Sequence, residues 1–366
     1  MLIFAQIFLN SLIFLYDGKL ERGFLLKVLV PVAGRGVRLR PHTNTRPKGL
    51  VSVANKPILG HILDDLGVLD NVEELIIVGG YMFDLLRDFV VRNYSDIFPK
   101  ISFVLQEPRL GLAHAVYVAR EHFKGSSLLI TLGDMIFERV YQQMLEDHRR
   151  NEECDGSIAV KEIDDPSSYG IVWVGEESVI RRLVEKPKHS DSRLGIAGAY
   201  FIESTDLLVE CIEELMSREL ALEKEYQLTD ALDLMCNKGA CLKTIDAGEW
   251  YDCGRKDTLL EANRVLLRGM TVNGKSEVLG ELIGVRIIPP VAVSEGCVID
   301  SSIIGPFVSV GEGCKISNSI ISDSIISQNS FIENIILNKA VIGDEVVIKG
   351  KAYSLNVGDN STVMLE

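Results

Sequence analysis

From about residue 285 onward, aliphatic side chains recur at Val298, Ile304, Val310 and Ile316, six residues apart, and no helical period fits them. The spacing drops to five at Ile321 and Ile326, returns to six at Ile332, and is six again between Ile342 and Ile348. Charged residues thin out over the same stretch, and small residues, Gly or Asn stand between the aliphatic ones. A sandwich strand alternates by two, whereas a six-residue period with small corner residues is the pattern of a left-handed parallel β-helix. Each coil there stacks its aliphatic residues on those of the coil before.

The rest of the chain follows another rule. "LLKVLVPVAG", "ELIIVGG" (74–80), "ISFVLQ" (101–106) and "SLLITLGD" (127–134) are continuous apolar runs of strand length, and "ILGHILDDLGVL" and "LAHAVYVAREHF" between them read as helices. Buried strands alternating with helices predict an α/β, Rossmann-like domain with a mixed, mostly parallel sheet covered on both faces. Ligands of such sheets bind at the carboxyl ends of the strands, where the glycines at 34 and 36 and the pair Gly133-Asp134 both fall. The expected organisation is an N-terminal extension (1–24), an α/β domain (25–268), a linker (269–284), the β-helix (285–350) and a C-terminal tail (351–366). The opening "MLIFAQIFLNSLIFLY" is apolar but carries Gln6, Asn10 and Ser11. It is shorter than the roughly 20 residues of a membrane helix and lacks a basic start and a small-residue cleavage site, so it reads as an extension rather than an anchor.

A formal net charge of −14 argues against general nucleic-acid binding, which needs a basic face. Against that background the stretch 22–63 contains no carboxylate and holds Arg22, Lys27, Arg35, Arg38, Arg40, Arg46, Lys48 and Lys56. A local anion site is the natural reading. The seven cysteines are scattered and never spaced C-x-x-C, which suggests neither a disulfide framework nor zinc and fits a reducing cytoplasm. The six histidines show no metal spacing, and none lies beyond residue 189. The repeat region therefore lacks the base that acyl transfer to a hydroxyl or amine commonly needs, and reads as an assembly or regulatory element of a homo-oligomer.

Inside the acid-free stretch, "PVAGRGVRLRPHTNTRPKGL" (31–50) follows a strand and supplies Gly34 and Gly36, whose backbone N–H groups can approach a phosphate closely. It is neither G-x-G-x-x-G, since Leu39 occupies the third glycine position, nor a Walker loop. The segment resembles the signature loop of the sugar-1-phosphate nucleotidyltransferases, G-x-G-T-R-L-x-P-x-T-x-x-x-P-K. Gly34, Gly36, Arg38, Leu39, Pro41, Thr43, Pro47, Lys48, Lys56 and Pro57 match, while Ala33 and Val37 replace the usual Gly and Thr. "QEPRLGLAHAV", "LGDMIF", "SSYGIV", "EKP", "GAYFI", "EYQLTDAL" and "WYDCG" follow in the family's order, so the resemblance covers about 25–268, and the β-helix is similar to the C-terminal extension of the family's long members.

The resemblance implies attack by a sugar-1-phosphate oxygen on the α-phosphorus of a nucleoside triphosphate with release of pyrophosphate. Neutralising two polyanions and aligning them is then the main task. It casts Arg38 on the β and γ phosphates and Lys48 near the α-phosphate, with Ala33, Gly34 and Gly36 in the nucleotide loop, and Asp134 and Asp252 as ligands of Mg2+. Met135 stands where the family more often has Asn. Gln106 would read the O4 and N3–H edge of thymine or uracil, with Gly111 letting the base lie close to the backbone. Gly170, Glu185, Lys186 and Gly198 would form the sugar-phosphate side. The expected substrates are dTTP and glucose-1-phosphate. A UTP- or GTP-dependent enzyme and a non-catalytic regulatory subunit are the alternatives.

Overall fold

The computed structural model describes residues 13–16, 19–22, 26–150, 154–218, 225–271 and 277–351. Of the expected N-terminal extension, Ile13–Tyr16 pairs antiparallel with Lys19–Arg22, and the remainder lies outside the described residues, as does the tail from 352 onward. Among the described residues, no helix is long and apolar enough to cross a membrane.

The apolar runs form the strands they predict: β1 (Leu26–Pro31), β2 (Val72–Gly79), β3 (Ile101–Leu105) and β4 (Ser127–Thr131). They are followed by β5 (Met135–Phe137), β6 (Gly156–Glu162), β7 (Gly170–Val174), β8 (Ile180–Glu185), β9 (Leu194–Ile202), β10 (Leu242–Asp246) and β11 (Trp250–Asp252). Nine of them make one sheet in the order β8-β7-β9-β4-β1-β2-β3, with β6 joined to β9 and β10. β4, β1, β2 and β3 are mutually parallel, whereas β9 runs antiparallel to β4, β6 and β7.

The helices are α1 (Ile58–Gly67), α2 (Phe83–Tyr94), α3 (Leu112–Val118), α4 (Arg120–Phe123), α5 (Val140–Arg150), α6 (Thr205–Ser217), α7 (Leu228–Asn237) and α8 (Lys256–Met270). Their buried residues recur at helical spacing, as at Leu86, Val90 and Tyr94 in α2 and Leu228, Ala231, Leu232 and Met235 in α7. One large core gathers Leu29, Ile76 and Ile130 of the sheet with Val116, Phe123, Leu208, Ile212 and Leu232 of the helices. Each such side chain contributes about 1.5–3 kcal/mol by leaving water.

The chain divides into two compact units, one built from residues up to 51 with 57–255, the other from 52–56 with residues from 256 onward. The second unit contains the left-handed parallel β-helix, whose three faces are parallel ladders. Its coils are 17 residues long at Val298↔Lys315 and 16 at Lys315↔Phe331 and Phe331↔Val347, which is why the six-residue spacing slips to five. The interior column runs through Val293, Ile299, Ile304, Val310, Ile316, Ile321, Ile326 and Ile332. Ile299 thus takes the inward place that the six-residue count gave to Val298; Val298 lies in the outer column with Lys315 and Phe331. Two adjacent β-branched residues made the strand face ambiguous in sequence. The coils also begin earlier than residue 285, because Glu277–Val278 and Glu281–Ile283 of the expected linker already pair in register with the next coil.

Corners turn through left-handed residues stacked one above another, Gly284, Ser301, Asn318 and Asn334. Serine hydroxyls satisfy the backbone there: Ser302 donates to the Asp300 carbonyl and accepts from the Ser319 amide at 3.1 Å. In the same unit α8 covers one ladder. Its fully buried Asn263 accepts from the Ala54 amide and the Ser309 hydroxyl, both at 2.9 Å, and donates to the Phe307 carbonyl.

Candidate active site

The carboxyl ends of β1 and β4 lie side by side because the two strands pair in parallel. After β1 the chain turns through Gly36, at φ +61°, into a single 3-10 turn, Val37–Leu39. Leu39 is buried and pins that turn, while its neighbour Arg38 stays exposed. Thr43 closes the loop by donating to the Gly36 carbonyl at 2.8 Å. A Cβ on Gly36 would lie 2.9 Å from the Lys48 Cβ, so glycine is required both for the left-handed turn and for the approach of Lys48. A Cβ on Gly34, in contrast, would meet nothing within 4 Å among the described residues other than its chain neighbours.

The second carboxylate arrives through a short ribbon. β11 pairs antiparallel with β5, setting Asp252 opposite Met135, and the Cys253 amide donates to the Asp134 carbonyl at 3.0 Å. Asp134 and Asp252 are thereby held at one end of the same ladder, although 118 positions separate them in sequence. Lys48 forms an ion pair with Asp134, and the Gly254 amide donates to Asp252 Oδ1 at 2.7 Å. A Cβ placed on Gly254 would stand 2.6 Å from Asp252 Oδ1, 3.0 Å from Lys48 Nζ and 3.1 Å from Arg38 Nη2. Arg38, Lys48 and Asp252 therefore converge on one backbone position, with Asp134 bonded to Lys48. Burial pushes the thiol of Cys253 up, and the two carboxylates push it further against the opposing effect of Lys48.

Beside this cluster a cavity of about 370 Å³ is lined by Ala33, Gly34, Lys48, Gln106, Gly111 and Asp134 among the residues expected at the site. Arg109 and Glu225 also line it and were not singled out from the sequence. Gln106 is buried, and its amide nitrogen donates to the Gly111 carbonyl at 2.9 Å and contacts His114 Nδ1 at 3.2 Å. A carbonyl only accepts, so the nitrogen must face Gly111, and the second N–H requires an accepting Nδ1 on His114. Burial lowers the His114 pKa, in keeping with a neutral ring. With both donors committed, Gln106 keeps only its side-chain oxygen for a ligand, an acceptor suited to an imide N–H.

Gly111, at φ +105°, has a packing reason of its own: a Cβ there would lie 2.5 Å from the Tyr226 carbonyl oxygen. No sequence signal linked 111 to 226, and the contact of His114 with Gln106 likewise depends on packing.

Gly170, Glu185, Lys186 and Gly198 do not line the cavity. Gly170 and Glu185 are register partners of β7 and β8, and a Cβ on Gly170 would lie 2.8 Å from Thr229 Oγ1 and 3.0 Å from Glu185 Oε2. Thr229 donates to Glu185 at 2.7 Å, Lys186 pairs with Glu185 at 3.0 Å, and the Lys186 amide donates to the Tyr169 carbonyl. Burial raises the pKa of Tyr169, and Asp252 raises it further while Arg255 and Arg38 oppose. Gly198, at φ +100°, packs against Leu132, which does line the cavity.

Among the described residues no group of three or more His, Cys, Asp or Glu side chains is arranged to hold a metal. Two carboxylates at the end of one ladder are nevertheless a fitting donor set for magnesium, which keeps several waters and takes substrate phosphate oxygens as ligands.

The family described as nucleotidyl transferase matches residues 27–269. The chain is 31% identical over 272 residues to the bifunctional protein GlmU of Methanococcus maripaludis, covering 73% of this chain and 61% of that protein, so it spans about three fifths of that relative's length. It is 29% identical over 362 residues to the glucose-1-phosphate thymidylyltransferase of Streptomyces antibioticus, covering 93% of this chain and all of the other. The crystal structure of UDP-glucose pyrophosphorylase complexed with UDP-glucose superposes with a TM-score of 0.59 at 25% identity, over 67% of this chain and 99% of that one.

Proposed function

Because the chain belongs to the nucleotidyl transferase family, we propose that it transfers a thymidylyl group from dTTP to glucose-1-phosphate. A phosphate oxygen of the sugar phosphate attacks the α-phosphorus, the bond to the bridging oxygen breaks, and pyrophosphate leaves. The convergence of Arg38, Lys48 and Asp252 about Gly254, with Asp134 bonded to Lys48, carries this reading. It sets two cations and two carboxylates beside a cavity of nucleotide size.

In this assignment the Gly34 loop leaves room for the triphosphate, Arg38 holds the β and γ phosphates, and Lys48 faces the α-phosphate, where charge builds in the transition state. Asp134 and Asp252 would hold Mg2+, which supplies charge neutralisation on the phosphate oxygens. Gln106 accepts from N3–H of the base. Cytosine and adenine present an acceptor at the corresponding ring nitrogen and are disfavoured, while one methyl between thymine and uracil is worth only about 1–3 kcal/mol. Glu185, held by Thr229, accepts sugar hydroxyls, and Lys186 contacts the sugar phosphate.

The test is pyrophosphate release with magnesium, crossing dTTP, UTP, GTP, CTP and ATP against glucose-1-phosphate, N-acetylglucosamine-1-phosphate and mannose-1-phosphate. Strong turnover with dTTP and glucose-1-phosphate supports the assignment, and a different single strong pair reassigns base and sugar. Silence across the grid, from folded protein that binds nucleotide, makes the chain a regulatory subunit.

A further inference from the structure

Away from the cavity, two thiols are in contact. Cys154 and Cys241, 87 positions apart, have sulfurs 2.8 Å from one another. Cys154 is buried and Cys241 half-buried. The backbone around them is already fixed: the Asp155 amide donates to the Cys241 carbonyl, and the Cys241 amide donates to Asp155 Oδ2, both at 2.8 Å. The Ser204 hydroxyl holds the other oxygen of that carboxylate, and the Glu203 amide donates to the Asp155 carbonyl at 2.8 Å. The parallel register of β6 and β10 begins just beyond, at Gly156↔Leu242. Joining the sulfurs therefore requires little of the reorganisation that makes most engineered cross-links weak.

We propose that Cys154 and Cys241 form a redox-closable pair, which a low-molecular-weight disulfide converts into a covalent link between the starts of β6 and β10. Cys241, the more accessible thiol, loses its proton to solvent and attacks one sulfur of the small disulfide; that S–S bond breaks and one small thiol leaves. Cys154 then gives up its proton and attacks the Cys241 sulfur of the mixed disulfide, releasing the second small thiol. Two protein thiols are oxidised and one small disulfide is reduced to two thiols. Burial, with the hydrogen bond to Cys241, pushes the Cys154 thiol up to about 11, which by itself slows the second step. There the fixed proximity of the partner offsets a small thiolate fraction.

The link lies far from the proposed chemistry. β10 is parallel to β6, β6 antiparallel to β9, and β9 antiparallel to β4. Hence β6 and β10 run in the direction of β4, and their first residues lie at the rim opposite Asp134. The inference is thus independent of the assigned reaction. The thiols of Cys297 and Cys314 also lie within hydrogen-bonding reach of one another, besides donating to backbone carbonyls at 3.0 Å, so the peptide map has to separate a bridge there from the one proposed.

The experiment equilibrates the full-length protein with oxidised glutathione, counts thiols under denaturing conditions and maps linked peptides. Seven thiols should fall to five, the mass by two hydrogens, and one linked pair should join 154 to 241. The melting temperature of the first unit should rise by roughly 5–10 °C, reversed by dithiothreitol. Cys241→Ser and Cys154→Ser should each abolish both changes, and the peptide map of the unmodified chain decides the matter if a variant fails to fold. Retention of seven thiols, a persistent glutathione adduct on Cys241, or a bridge between other cysteines overturns the proposal.

Discussion

Lys48 and Asp134, 86 positions apart, form an ion pair that ties the loop after β1 to the end of β4. Any cation held by Asp134 would take over the carboxylate and leave the ammonium of Lys48 for phosphate. Asp134→Ala and Asp252→Ala should therefore each abolish magnesium-dependent pyrophosphate release with an unchanged far-UV spectrum. Lys48→Ala should lower kcat about 10²–10³-fold if the ammonium acts on transition-state charge. A change confined to KM would assign Lys48 to ground-state binding instead.

Gly254→Ala tests the convergence itself. Its Cβ would press on Asp252 Oδ1 at 2.6 Å, beside Lys48 Nζ and Arg38 Nη2. Moving these groups by about 1 Å should reduce kcat roughly 10²-fold, with the fold retained. Turnover near that of the unmodified chain would show that the cluster is not the reacting centre.

The two glycines of the loop should separate stability from binding. Gly36→Ala puts a Cβ 2.9 Å from the Lys48 Cβ in a left-handed turn, and about 1–2 kcal/mol of stability should be lost. Gly34→Ala meets nothing within 4 Å and should leave the melting temperature unchanged. If triphosphate occupies that open space, KM for the nucleotide should rise about tenfold or more. Equal melting temperatures and equal KM values in the two variants would contradict the assignment of the loop.

Where local pattern carries the information, the sequence is transparent: the apolar runs of β1, β2, β3 and β4 needed only length and burial, and the coils needed only a period. Where two neighbours are equally apolar, as at Val298 and Ile299, pattern alone picks the wrong face. Glu277 and Glu281 gave the first coil the texture of a linker because an end coil exposes more of its surface. At the candidate site, the motif resemblance singled out Asp134 and Asp252, but the ladder that aligns them depends on β5–β11 pairing across more than a hundred residues. The commitment of both Gln106 donors to Gly111 and His114 rests on side-chain packing, for which no short motif codes.

In the β-helix unit, Asn263→Leu should be strongly destabilising despite similar volume. It removes the acceptor of the Ala54 amide and of Ser309, and the donor to the Phe307 carbonyl, at a fully buried position. Leaving such groups unpaired costs about 1–3 kcal/mol each. The unfolding transition of this unit should move to lower urea; an unchanged midpoint would mean that other groups or water replace the amide.

The last expectation concerns acid. Glu74, on β2, is 1% exposed and pairs with Lys27 at 3.1 Å and Lys100 at 3.0 Å, with His122 at 2.9 Å and Ser102 at 2.6 Å from its other oxygen. Burial alone would raise its pKa, but the hydrogen bonds from Ser102, Lys100, His122 and Lys27 outweigh it and bring the value from 4.5 down to about 2. The folded carboxyl is thus more acidic than the unfolded one. Its contribution, on the order of 3 kcal/mol, is fully present above pH 4.5 and is lost as pH falls towards 2. Glu74→Gln should destabilise the protein at pH 7 by about that amount or more, since among the described residues Lys27 then keeps only the more exposed Glu73 as a carboxylate partner. It should also flatten the loss of stability between pH 4.5 and 2. Urea unfolding at pH 7, 5, 4 and 3 measures both, and parallel curves for the two proteins would show that Glu74 is not the group whose protonation weakens the fold.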